Sequence, residues 1–240
     1  MLLHGLFGGS SYWKPLDGYL SEKFDVVAVD LPGFAGSSDI SVPDSISGYA
    51  ASVMDLLASL EIESFHLIGY SLGGAIGQQM ALDYPDRIMR LVNYATKPTA
   101  LDDDRFETFE ETLHRLQNND INDTVLSQVS SWFAAGADAP GYELCIETSE
   151  GVTKETASAC LRAIRGWDLR DRLHELQMPV LIASGDRDRS VSLESHLFQK
   201  QAISNSQLCI IPGCAHIPHL ENPELFNMIL QIFLSADTPQ

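Results

Sequence analysis

Basic side chains are scarce. The 240 residues include five lysines (Lys14, Lys23, Lys97, Lys154 and Lys200), and the basic total of 15 faces 33 acidic residues, a net charge of −18. So negative a surface repels phosphate backbones and anionic lipid headgroups, so neither nucleic acid nor a membrane is expected as a partner. It suits a saline medium, and equally it suits ordinary solubility. No apolar run reaches the roughly 18 residues that a bilayer span needs. Met1-Leu2-Leu3 lacks the basic flank and apolar stretch of a signal peptide. The four cysteines (Cys145, Cys160, Cys209 and Cys214) form no C-x-x-C pair and are too sparse for a disulfide scaffold. Free thiols and a cytoplasmic location are therefore expected, with no metal and no cofactor. Repeats, low-complexity tracts and long charge runs are also missing.

What is present is an alternation. Short β-rich runs at Phe24–Asp30, Ser64–Tyr70, Ile88–Ala95, Pro179–Gly185 and Gln207–Gly213 are separated by longer helical patterns. Such an order predicts an α/β protein with a mostly parallel sheet covered on both faces. Several of these runs are almost continuously apolar, as strands buried on both sides must be. Ile46, Tyr49, Ala50, Val53, Leu56, Leu57 and Leu60 recur at helical spacing. Asn222-Pro223 opens a last helix that buries Leu225, Phe226, Ile229, Leu230 and Phe233. Residues 99–166 are helical in pattern, without a convincing strand. They divide the core into 1–98 and 167–240 and are expected to form a cap over the carboxyl edge of the sheet, where open α/β sheets bind ligands.

Gly69-Tyr70-Ser71-Leu72-Gly73 is a G-x-S-x-G sequence set between the run SFHLIGY and a helix with Ile76, Met80 and Tyr84 on one face. A serine at the apex of so sharp a strand-to-helix turn crowds the backbone, and the flanking glycines relieve it. Its hydroxyl becomes nucleophilic only when a base takes the proton. His216 is the best placed histidine, in the loop after QLCIIPG, with His219 as the alternative. His4, His66, His114, His174 and His196 are expected in structural or solvent-facing roles. The acid should fall between serine and histidine in chain order, where Asp186 and Asp188 both qualify. Acyl transfer also needs donors for the developing oxyanion. The backbone N–H of Leu72 is one, and that of Leu6, in His4-Gly5-Leu6-Phe7-Gly8-Gly9, is the other. Phe7, Tyr70, Trp132 and Phe133 are expected to touch substrate. With Phe106, Phe109 and Tyr142, the cap aromatics imply an apolar acyl or aryl pocket.

Taken together, these segments resemble the α/β-hydrolase family. The matching stretches are His4-Gly5, Asp30–Ser37 (DLPGFAGS), Gly69–Gly74 (GYSLGG), Gly185–Asp188 (GDRD) and Gly213–His216 (GCAH) followed by Leu220–Pro223 (LENP). The resemblance covers nearly the whole chain outside the 99–166 insertion. It implies that Asp188 is the acid, that His216 is the base, and that the insertion is the family's helical cap. Trp167–Arg170 through Met178-Pro179 is similar to the segment leaving the cap in pimeloyl-carrier-protein methyl esterases and 3-oxoadipate enol-lactonases. A menaquinone-pathway lyase shares GYSLGG but follows it with arginine, where this chain has Ala75. Haloalkane dehalogenases place an aspartate where this chain has Ser71. The family also has two strands before its His-Gly loop, while only Met1-Leu2-Leu3 precede His4 here. The strand Phe24–Asp30 is therefore expected at an apolar sheet edge, covered by a homodimer or prone to aggregation.

These readings predict a serine hydrolase, a carboxylesterase cleaving a small to medium ester through an acyl-enzyme on Ser71. The alternatives on the same residues are hydrolysis of a carbon–carbon bond in a dienoate and opening of an enol-lactone. A lyase and a non-catalytic ligand-binding member of the fold stand further off.

Overall fold

The five β-rich runs and the amino-terminal Leu2–Leu3 form six strands among the described residues: β1 (Leu2–Leu3), β2 (Ala28–Val29), β3 (Phe65–Tyr70), β4 (Ile88–Tyr94), β5 (Val180–Gly185) and β6 (Ser206–Ile211). This computed structural model describes residues 1–101 and 108–236, with the backbone alone for Phe109. All neighbouring strands are parallel, in the order β2-β1-β3-β4-β5-β6. Helices α1 (Lys14–Leu20), α2 (Ile46–Ser59) and α3 (Leu72–Asp83) accompany the first strands. The cap contributes α4 (Phe109–Asn118), α5 (Ile121–Ser131), α6 (Tyr142–Thr148) and α7 (Lys154–Ile164), and α8 (Leu193–Ala202), α9 (Pro218–Glu221) and α10 (Pro223–Ser235) complete the core.

β5 is buried throughout and β4 at all but Met89, which is why these runs are mostly apolar, with Arg90, Asn93 and Ser184 as their buried polar members. Helix α3 packs on β3 and β4, α2 lies against α3, and α1 lies against α10. Local chemistry sets the helix starts. The Ser45 hydroxyl accepts from the Gly48 amide, and Asn222 accepts from the Leu225 amide. Thr108 and Glu111 form a reciprocal capping box at α4. On α2 the apolar stripe is wider than the face it buries: Ile46, Tyr49, Ala50, Val53 and Leu57 are inside, while Leu56 and Leu60 are exposed.

The expected seven-residue strand Phe24–Asp30 is corrected to two paired residues. Its one neighbour, β1, offers only Leu2 and Leu3, opposite Ala28 and Val29. Residues 24–27 lie outside the paired segment, although the Val27 carbonyl accepts from the Leu2 amide (2.8 Å). β2 lies at the edge of the sheet among the described residues.

The insertion is helical among its described residues. Its two ends meet in a short bridge between Thr99 and Asp168, flanked by Ala100 N–H to Trp167 O (2.9 Å) and Leu169 N–H to Pro98 O (2.8 Å). It thus leaves and rejoins the core at one point, between β4 and β5.

Candidate active site

Ser71 stands between the end of β3 and the start of α3 with φ 52° and ψ −112°. Such a conformation costs a residue with a Cβ about 1–3 kcal/mol and persists only when its surroundings impose it. Here the packing does so. A Cβ on Gly69 would lie 2.3 Å from the Gly73 carbonyl oxygen, and one on Gly73 would lie 2.3 Å from that of Leu3. The two glycines let β3, α3 and β1 approach closely enough to push the serine out of the turn. The Ser71 amide donates to Tyr94 O (2.9 Å), which ties the apex to β4.

His216 reaches the apex from the loop after β6. Its Nε2 lies 3.2 Å from Ser71 Oγ, and its Nδ1 lies 2.9 Å from Asp188 Oδ2 and 3.1 Å from Oδ1. The Asp188 carboxylate is 1% exposed. It also accepts from the Ser184 hydroxyl (2.9 Å) and the amides of Ser190 (2.7 Å) and Val191 (3.2 Å). Burial raises its carboxyl, but the His216 charge, the His216 hydrogen bond and these further donors outweigh burial and hold it below the ordinary carboxylate value. Asp186 points elsewhere: it is exposed and accepts from the Gly213 amide (2.8 Å). An arrangement of this kind lets the imidazole take the hydroxyl proton while the carboxylate fixes its tautomer and stabilises the cation.

His219, the other candidate base, is fully buried and committed to other partners. Its Nδ1 faces the Tyr94 hydroxyl (3.1 Å), its Nε2 faces Tyr12 O (3.2 Å), and its ring stacks on Trp13 at 4.8 Å. Because the Tyr94 hydroxyl donates to Nδ1, the proton sits on Nε2 and donates to Tyr12 O. His4 is likewise buried and neutral. Its Nε2 accepts from the Leu31 amide (2.9 Å), which leaves Nδ1 to donate to Gly5 O (2.7 Å) and to set the turn that carries Leu6.

Both buried imidazoles make stability pH-dependent. Burial pushes His4 down from 6.5 to about 4, against the Gly5 carbonyl and the Asp30 charge, and His219 down to about 3, against the Tyr12 carbonyl. Below about pH 6.5 the unfolded chain binds protons that the folded chain refuses. The stabilisation is therefore complete above that pH and is lost as the pH falls, by up to about 1.4 kcal/mol per unit for each histidine. His219→Gln should flatten the decline between pH 7 and pH 5 by one such increment, as read from urea denaturation at several pH values. An unchanged slope would assign the titration to other groups.

Helix α3 begins at Leu72, whose N–H has no intrahelical acceptor, so the positive end of the helix dipole lies beside Ser71, and Leu72 lines the space next to it. Leu6 borders the same space, a cavity of about 90 Å³ that Ser71 and His216 also line. The cap contributes Trp132 and Gln128 together with Cys160, Leu161 and Ile164, so the insertion roofs the serine. Three expected contact residues are not on this wall. Phe7 is buried and stacks behind Trp132 at 6.3 Å. Phe133 is buried against Tyr142 in the cap core. Tyr70 packs its buried ring 5.2 Å from that of His216 and supports the base rather than facing the cavity. Aromatic character registers burial, and in these cases the burial is in packed interior. Phe106 and the Phe109 side chain lie outside the described residues. Sequence reasoning did not single out Thr96, Lys97, Thr99 and Val191, which reach the wall from the loops after β4 and β5. Their position past strand ends was the available signal.

The family model for the alpha/beta hydrolase fold matches residues 1–223. The chain belongs to this family. A RutD protein of Agrobacterium fabrum, named for carbamate hydrolysis, is 30% identical to this hydrolase over 244 residues, covering 99% of the chain and 93% of the relative. The pimeloyl-[acyl-carrier protein] methyl ester esterase of Nitrosomonas europaea is 28% identical, over 94% of the chain and 91% of the relative. Among solved structures, a hydrolase from Pseudomonas aeruginosa superposes with a TM-score of 0.88 at 25% identity, covering 98% of this hydrolase and 89% of the other chain. No helix among the described residues is long and apolar enough to cross a membrane.

Proposed function

We propose that this hydrolase is a serine carboxylesterase. Ser71 Oγ attacks the ester carbonyl as His216 takes its proton, and the N–H groups of Leu6 and Leu72 hold the oxyanion. The imidazolium then protonates the departing alkoxide, which leaves an acyl group on Ser71. A water deprotonated by His216 attacks that acyl-enzyme, the carboxylic acid departs, and the proton returns to Ser71. The observation that carries this reading is the continuous line from Asp188 through His216 to Ser71, at 2.9 and 3.2 Å. The esterase named among the relatives supports the ester bond as the target.

The small cavity, about 90 Å³ with Trp132 and Leu161 in its wall, fits a short apolar acyl group better than a fatty one. In a series of p-nitrophenyl esters, kcat/KM is expected to peak between acetate and butyrate and to fall towards decanoate. Absence of turnover above buffer for every ester would remove the esterase reading. The RutD relative gives a second reading, carbamate cleavage by the same serine. A p-nitrophenyl carbamate in the series separates the two: an ester wins on the first reading, the carbamate on the second.

A further inference from the structure

The cap is fastened to the loop that carries the base. The amide of His216 donates to the carbonyl of Trp132 at 2.9 Å. Beside this bond, Glu221 at the end of α9 accepts from the Ala134 amide at Oε1 (2.7 Å) and from the Ala215 amide at Oε2 (2.6 Å). One carboxylate thus spans the residue before the base and the residue two beyond Trp132, whose side chain forms part of the pocket wall. Both oxygens are used, and both donors are backbone amides with little freedom to follow a displaced partner. Burial raises the Glu221 carboxyl, the two amides act the other way, and the net result lies above the ordinary value. This half-buried carboxylate is held by design of the two loops rather than by solvent, because a desolvated carboxylate is costly unless hydrogen-bonded.

We propose that Glu221 is a positioning residue that locks the cap segment Trp132–Ala134 to the His216 loop, so that pocket wall and base are set together. The proposal rests on the esterase reading. A glutamate that merely stabilised the fold would lower the melting temperature or the fraction of active protein and leave each remaining site unchanged. A glutamate that aligns the base changes the turnover of every site, since a displacement of about 1 Å can cost about 10²-fold in rate.

Glu221→Gln is the test. It preserves shape but presents an NH₂ to one of the two amide donors, which breaks one side of the clamp. Active sites are titrated to completion with a fluorophosphonate, and kcat is expressed per titrated site. For p-nitrophenyl acetate the account predicts a fall on the order of 10- to 100-fold in kcat with KM unchanged. For the hexanoate, which reaches the cap wall, KM should rise as well. A kcat per site equal to that of the wild type, or a KM that rises equally for both esters, overturns the proposal. Glu221→Asp keeps the charge but withdraws it by one methylene, and it is read in the same way if the glutamine variant does not fold. Wild-type protein inert towards all esters would count against the esterase reading. Active wild type with an unaltered variant counts against Glu221 alone.

Discussion

Replacing Ser71 by alanine is expected to lower kcat on p-nitrophenyl acetate by about 10⁶, because nucleophile, base and acid act as a unit and what remains is the contribution of the oxyanion donors and binding. The fold should survive. Alanine keeps the Cβ that already occupies the strained turn at φ 52°, and the serine's described hydroxyl contact is the one to His216. Thermal melting followed by circular dichroism distinguishes a dead enzyme from an unfolded one. Residual activity of more than a few per cent in the folded variant would mean that another group attacks the ester.

The second large effect separates two aspartates that are two residues apart. Asp188→Asn should cost about 10⁴ in kcat, since an amide can neither hold the imidazole in the productive tautomer nor stabilise its cation. Asp186→Asn should change activity little. Its oxygen accepts from the Gly213 amide at an exposed position, and an asparagine oxygen can do the same. Steady-state kinetics on both purified variants decides the matter. A larger loss in the Asp186 variant would contradict the placement of the acid.

Much of this site was legible from sequence because some of its demands are local. The glycine at 69 follows from crowding against Gly73 within a single turn, and the run before Ser71 and the helix after it identify that turn, although Gly73 itself is required by the distant Leu3 carbonyl. The choice between His216 and His219 is not local. Both follow β6, and what removes His219 is its engagement with Tyr94 and Tyr12, residues far away in the chain. The pairing of β2 was equally hidden. Val26 and Val27 have strand-forming side chains, yet only Ala28 and Val29 pair with β1. The pocket wall was read too aromatic, since Phe7 and Phe133 are large and apolar for reasons of packing, while Thr96, Lys97 and Val191 reach the cavity only through the order of the strands. Glu221 stood in plain view within Leu220–Pro223, but its partner Ala134 lies 87 residues earlier. Only the folded chain brings the two together.

The central claim is that Ser71 carries the acyl group during turnover, and trapping that intermediate tests it most directly. The protein is mixed with excess p-nitrophenyl acetate, quenched in acid within the first turnovers, digested and mapped by mass spectrometry. The account predicts one acetyl group per active site, on the peptide containing Gly69–Gly74 and assigned by fragmentation to Ser71. It also predicts a burst of p-nitrophenol equal to the sites acylated, provided deacylation is the slower step, and no such adduct in the Ser71→Ala variant. Acetyl groups accumulating stoichiometrically on a different residue, while Ser71 stays unmodified throughout turnover, would contradict it.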